Sequence, residues 1–476
     1  MNAKHGYRIE RDSMGEMVVP EHALWGAQTQ RAIENFTISN YRFPRSFIRA
    51  LGMVKYAAAK VNMGLDLLDK PMGTAILQAA GEVMEGMWDD QFVVDIFQTG
   101  SGTSTNMNAN EVIARRAMII LESQTEITEC ETKDKKEKVV IHPNDHVNQG
   151  QSSNDVIPTC IHIAAVETIK NRLIPILSGL QHQLEKKAEE FDPILKLGRT
   201  HLQDATPMSL GQEFGGYASM IAHDLKKVKR TLDHLQELAL GGTAVGTGAG
   251  THPHFAHLTI EEINRITGCR FTEACNHFEA QGAKDAIVET SGTLKTLAVS
   301  LFKIGSDIKW MGAGPYGNLA ELNIPAVQPG SSIMPGKINP VIIEALAQVA
   351  VQVIGNDSVV TLSGLSGNFE LNTMMPVMAY NLLSSIALLS SGVQAFTVKC
   401  IMGITANEDR CKELMERSLA IAMALNPYIG YDRASELAKE AQERGMSLAQ
   451  IVAEKNIMSE EKLNEILNAY FLIKKR

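Results

Sequence analysis

A chain of 476 residues, 45% hydrophobic, 21% charged and only 5% aromatic, is long enough for two or three domains and builds its interior from aliphatic side chains and methionine. Its formal charge of −9 opposes the clustered positive surface that nucleic acid requires, while leaving room for a small anion held by a few groups in one cleft. Six cysteines (Cys130, Cys160, Cys269, Cys275, Cys400, Cys411) show no Cys-x-x-Cys spacing, which argues against a zinc ribbon or thioredoxin-like site and predicts reduced, mostly buried thiols.

In chain order, residues 1–17 mix charges of both signs without an apolar core segment, so no secretory signal is read and a cytoplasmic protein is expected. Polar, Gly- and Ser-rich stretches at 98–110, 142–154, 198–207, 241–251 and 329–340 are predicted as loops, where binding groups gather. The charged run 129–138 reads as a solvated excursion. Ile169, Leu173, Ile176, Leu180 and Leu184 form one helical stripe, and Ile221, Leu225, Val228, Leu232 and Leu235 another. A third, Ile287, Leu294, Ala298, Leu301 and Ile308, carries Ser291 and Gly305 where a neighbour can approach closely.

Residues 341–354 and 378–396 are nearly apolar on all sides. The uncharged stretch 371–398 is interrupted by Asn372, Pro376 and Asn381, which favours a helix inside a bundle or oligomer over a membrane span. One chain offers too few neighbours for such helices, which predicts a closed homo-oligomer. The expected organisation is all-α: a mainly helical domain at 1–150, a central long-helix bundle at 151–405 and a small helical domain at 406–476.

The segment 330–340, GSSIMPGKINP, combines hydroxyls, a cation and an amide in a glycine-flanked loop entering an apolar helix. Its backbone N–H groups suit an anion beside Lys337, although the same composition also suits an ordinary loop. His201, taken singly, fits a structural histidine as well as a functional one. No His or acidic spacing forms a metal-ligand pattern, and neither metal nor cofactor is expected. GTAVGTGAG at 242–250 follows a helical segment rather than a strand, so it is a weak dinucleotide motif.

Taken together, GSGTSTNMNANEV (100–112), HPNDHVNQGQSSND (142–155), GRTHLQDATP (198–207) and GSSIMPGK (330–337) resemble the aspartase/fumarase superfamily. LWGAQTQR (24–31), QTGSGT (98–103) and SGNFELN (366–372) resemble its class II fumarase branch, whereas GITAN (403–407) is closer to aspartase wording. The resemblance implies a three-domain helical subunit, a homotetramer built on a central helix bundle, and active sites assembled from separate subunits. It also implies reversible hydration of fumarate to L-malate through an aci-carboxylate carbanion, without metal, and no nucleic acid or membrane partner.

By the same resemblance, Ser331 matches the base that removes the malate proton, and loop N–H groups with nearby cations would favour its ionised form. Lys337 and Asn339 match positions that meet the substrate carboxylates. Ser101, Thr103, Ser152, Ser153, Asn154 and Thr200 match hydroxyl and amide positions that hold or shape the dianion site. His201 matches the histidine that contacts an active-site water, oriented by Glu344. His142, Asn144 and Asp145 match a second anion position, where a purely structural turn is equally compatible with the residues.

The chain departs from many fumarases at Tyr316, where they carry arginine, and at Ala249-Gly250, where they commonly carry Leu-Asn. Two rival readings follow from the same scaffold: an aspartate ammonia-lyase using the same serine, and a catalytically silent structural protein.

Overall fold

The computed structural model describes residues 6–128 and 140–471; the charged run 129–138 and Cys130 lie outside them. The helices that carry the argument are α1 (Ala27–Asn35), α2 (Arg45–Gly64), α3 (Lys70–Met84), α4 (Thr103–Thr128), α5 (Ser153–Thr168), α6 (Ile174–Phe191), α7 (Leu210–Leu235), α8 (Phe255–Thr267), α9 (His277–Gly282), α10 (Asp285–Met311), α11 (Val341–Gly364) and α12 (Met375–Lys399). Strands occur among the described residues as two-stranded ladders. They brace loops and form no layer, so the class is all-α.

The chain divides into two compact units, residues 1–175, 226–296 and 351–390 in the first, and 176–225, 297–350 and 391–476 in the second. In the first, strands β1 (Tyr7–Asp12) and β2 (Gly15–Pro20) form a hairpin, and Arg31 on α1 grips Asp12 with two bonds of 2.8 and 3.0 Å. No side chain of its own caps α1. Instead the Glu111 carboxylate of α4 accepts N–H bonds from Gly26, Gln28 and Thr29. Helix α2 lies close to α3 because Gly52 has no side chain; a Cβ there would stand 3.0 Å from the Met84 nitrogen.

In the second unit, β3 (Leu195–Thr200) and β4 (Gln203–Ser209) form a hairpin, and a separate apolar cluster including Ile421, Leu425, Leu437, Ile451 and Leu463 gathers the C-terminal helices. Gly305 of α10 permits the close approach its position implies, with Ile343 3.1 Å from where a Cβ would be. All five apolar members of the third stripe are buried, as is Ser291.

Two expectations need correction. In the first stripe Leu177 is buried and Ile176 only half-buried: Leu173, Leu177, Leu180 and Leu184 keep ordinary helical spacing, and Ile176 stands at the edge of that face. The stretch 98–110 is helical from Thr103 onward, with Asn106 and Asn108 buried and hydrogen-bonded to other segments, so its polar composition marks internal ties as much as a loop.

Helices α11 and α12 are long and apolar enough to cross a membrane by length and composition. They nevertheless carry internal polar ties of the bundle kind: Asn356 donates to the Ser385 hydroxyl at 3.0 Å, and Lys295 of α10 pairs with buried Asp357 at 2.6 Å. Val351, 60% exposed, and Leu362, 65% exposed, leave α11 with an open apolar face in the single chain. Cys160, Cys269, Cys400 and Cys411 are buried free thiols, while Cys275 is exposed.

Candidate active site

Two helix N-termini meet in the first unit. Gly102, at φ +73°, turns the chain tightly enough for α4 to start at Thr103, and a Cβ there would lie 2.9 Å from Ile157. Ser152 caps α5: its hydroxyl accepts the Asn154 N–H at 3.2 Å, and the Asp155 carboxylate accepts the Ser152 N–H at 2.9 Å. The first residues of the two helices then touch. Ser101 Oγ lies 2.7 Å from Thr103 Oγ1, which lies 2.7 Å from Ser153 Oγ. A chain of hydroxyls at two converging positive helix ends is a place for a carboxylate.

The groups beneath this cradle are buried and charged. Asp155 also accepts N–H bonds from Gly241 and Thr243, both at 3.0 Å; burial nevertheless pushes its carboxyl up to about 6. Those amides belong to the GTAVGTGAG region, so an internal carboxylate occupies two donors that a phosphate would need. Asn154 donates its side-chain amide to the Ala244 carbonyl at 2.8 Å. Fully buried Lys55 of α2 donates to Asn106, Asn148 and Gln151 at 2.8, 2.9 and 2.9 Å, and burial lowers its ammonium to about 7.

His142, Asn144 and Asp145 lie around the short π-turn Pro143–Val147. His142 Nδ1 accepts the Asp145 N–H at 3.2 Å and stands 3.1 Å from its carboxylate. His142 and Asn144 line a cleft of about 630 Å³ with Arg8, Arg11 and Arg115 and the carboxylates of Glu10, Asp12 and Glu111, whereas Asp145 is not among its lining residues.

In the second unit the loop 329–340 is latched at its base. Gly330 N donates to the Lys337 carbonyl at 2.9 Å, and Asn339 Nδ2 donates to the Gly330 carbonyl at 2.6 Å. A side chain at position 330 would collide with the Lys337 oxygen. The Ser331 hydroxyl oxygen accepts N–H bonds from Ile333 at 3.3 Å and Met334 at 3.0 Å. These dipoles favour negative charge on that oxygen. Lys337 is exposed, and Glu344 is exposed in the first turn of α11.

Thr200 and His201 sit at the β3–β4 turn. Thr200 pairs with Gln203, leaving His201 (φ 56°) and Leu202 (φ 60°) as a two-residue turn in the left-handed region, an arrangement that ordinarily selects Asn and Gly. The turn rests on a buried base: Arg199 makes two bonds of 2.9 Å to Glu321, with Lys196 3.9 Å from the same carboxylate. Sequence reading missed Arg199, Glu321 and Lys55; the one local clue was a lysine in the otherwise apolar middle of α2.

The single chain thus joins Ser101, Thr103 and Ser153 directly, but not His201 to Glu344. Among the described residues, the side chains of His201, Lys337 and Glu344 have no hydrogen-bond partner. No group of three or more His, Cys, Asp or Glu among the described residues is arranged to hold a metal ion.

Of the two departures, Gly250 adopts φ +82°, a conformation that asparagine also tolerates, so the exchange is conformationally mild. Tyr316, 96% exposed, lines a cavity of about 690 Å³ with Asn323, Lys337, Asn339 and Asn407.

A lyase family matches residues 15–355, and a fumarase C C-terminal family matches residues 421–474. The chain is 52% identical over 442 residues to a class II fumarate hydratase from Nitrosomonas europaea, covering 93% of this chain and 94% of that one. It is 49% identical over 461 residues to the mitochondrial fumarate hydratase of Saccharomyces cerevisiae, covering 96% and 92%. Among solved structures, a class II fumarase from Schistosoma mansoni superposes with a TM-score of 0.91 at 34% identity, covering 98% of this chain and 99% of that chain.

Proposed function

This chain belongs to the lyase family, in its class II fumarate hydratase branch, and from that membership we propose that it interconverts fumarate and L-malate. The observation that carries the chemistry is the Ser331 hydroxyl oxygen, which accepts two backbone N–H bonds in a loop that also bears Lys337. An ordinary serine is far too weak a base to take a proton from carbon. Its alkoxide is strong enough but scarce near neutrality, and fixed dipoles with a cation raise the fraction of serine in that form.

In this reading Ser331 removes the malate proton beside one carboxylate, and the electron pair spreads into that carboxylate as the aci form. The hydroxyl then leaves from the neighbouring carbon, taking a proton from the His201 imidazolium to depart as water, while Glu344 orients the imidazole. Lys337 and Asn339 meet the developing charge, while Thr103, Ser152, Ser153, Asn154 and Thr200 orient the dianion, with Ser101 shaping the same turn. Neutral donors at two helix ends suit a ligand that must also be released.

The unpartnered His201 and Glu344, and the open apolar face of α11, support a homotetramer in which separate copies complete each site. The divisions at 1–150, 151–405 and 406–476 belong to the same proposal. A second anion position at His142, Asn144 and Asp145 belongs to the same proposal, in a cleft of mixed charge where Arg11 and Arg115 face Glu10, Asp12 and Glu111.

Absorbance of fumarate after adding protein to L-malate, with L-aspartate and Ser331→Ala in parallel, tests the assignment. Malate conversion that disappears in Ser331→Ala supports it. Conversion of aspartate alone would place the chain with the ammonia-lyases, and a folded protein inert to both would make it a silent scaffold.

A further inference from the structure

A charged lysine in the middle of an apolar helix is costly, and replacing buried charges by well-packed apolar residues often stabilises a fold. Lys55 is buried and lies between neighbours that are almost all small or apolar. Its three acceptors are amide oxygens, and their positions are informative. Asn106 lies one turn beyond Thr103 on α4, while Gln151 immediately precedes Ser152, the cap of α5. Asn148 closes the ring: its Oδ1 accepts from both Lys55 and Asn106, and its Nδ2 donates to the Gln151 carbonyl at 3.1 Å. The ammonium therefore ties the first turn of one helix to the residues that launch the other, just behind the 2.7 Å contact of Thr103 with Ser153.

We propose that Lys55 is a positioning residue for the dicarboxylate cradle, setting the distance and angle at which Thr103 and Ser153 present their hydroxyls. This rests on the reading of those hydroxyls as substrate ligands. Asp155 pins the other side of the same turn, through Ser152, Gly241 and Thr243, so α5 begins between two buried opposite charges. A framework of this kind lowers the cost of orienting the dianion, because the hydroxyls are held before it arrives.

The test compares Lys55→Met and Asn106→Ala with the wild type in steady-state malate dehydration, alongside circular dichroism and solution size. The expected result is a fall in kcat/KM of about 100-fold for Lys55→Met, including a rise in KM of at least about tenfold. Asn106→Ala, which keeps the ammonium and removes one acceptor, raises KM by about three- to tenfold. A merely structural lysine would lower the active fraction, and so the apparent kcat, while leaving KM in place. An unchanged KM in a folded variant overturns the proposal; if Lys55→Met does not fold, Asn106→Ala alone decides. A wild type inert to malate would instead overturn the functional reading on which the proposal rests.

Discussion

The hydroxyl cradle around Thr103 and the loop around Ser331 differ in how much of their geometry one chain supplies. At the cradle, side chains bond to one another above buried charges, and two helix ends fix their direction. At the loop, the backbone latches itself through Gly330 and Asn339, while Lys337, Glu344 and, on the β3–β4 hairpin, His201 are exposed and, among the described residues, have no side-chain hydrogen-bond partner. The cradle's hydroxyls are therefore held in place within one copy, whereas the bonds of one copy do not bring His201 and Glu344 together, which is what the proposed assembly would supply.

The sharpest break of this comparison is at Ser331. Ser331→Ala is expected to lower kcat by at least about 1000-fold with little change in melting temperature, because the hydroxyl supports only its own turn. Thr103→Val, in contrast, removes the middle of the hydroxyl chain and is expected to raise KM for malate about 10- to 100-fold with a smaller loss in kcat. Steady-state kinetics on both variants would show orientation and proton transfer separating; equal losses in kcat at both positions would erase the distinction.

Much of the architecture was legible in the sequence because helix stripes are local. The Ile287 to Ile308 stripe is buried throughout, and Gly305 meets Ile343. The Ile176 position was misread because Ile176 and Leu177 fit the helical spacing to Leu173 and Leu180 equally well, and only packing separates them. Motif wording located the hydroxyls, yet not what supports them. Lys55 bonds to residues 51, 93 and 96 positions away, a relation no window of sequence contains. The Arg199–Glu321 pair spans 122 positions and was hidden for the same reason.

Beneath the exposed His201 turn, that pair is a buried, two-bonded ion pair in the second unit. Glu321→Gln leaves Arg199 and nearly buried Lys196 undercompensated, and is expected to destabilise by about 3 kcal/mol, read in denaturant titration. A loss of activity at low temperature, where the variant is still folded, would show that the pair also holds the turn.

The buried charges under the cradle give a pH signature. The ammonium of Lys55 lies at about 7 in the fold against its ordinary 10.5, so its contribution to stability is present above 10.5 and is lost as pH falls through 7. Melting temperature should therefore rise between pH 7 and 9. Lys284, also buried and lowered to about 7, adds the same slope, so Lys55→Met is expected to remove about half of the rise. An unchanged slope would mean that Lys55 keeps its proton in the fold from pH 7 to 9, as it does in the unfolded chain.

The smallest expected effect lies at the hairpin tip. Leu202 holds a left-handed conformation at φ 60° while 67% exposed, a cost with no compensating contact in one chain. Leu202→Gly relieves it and is expected to stabilise by about 1 kcal/mol or less, since glycine also gains freedom in the unfolded chain. With His201 held less firmly, kcat should fall a few-fold, about twofold to fivefold. If the variant instead loses more stability than the ~1 kcal/mol that glycine's freedom in the unfolded chain accounts for, the leucine is buried against another copy, as the proposed assembly requires.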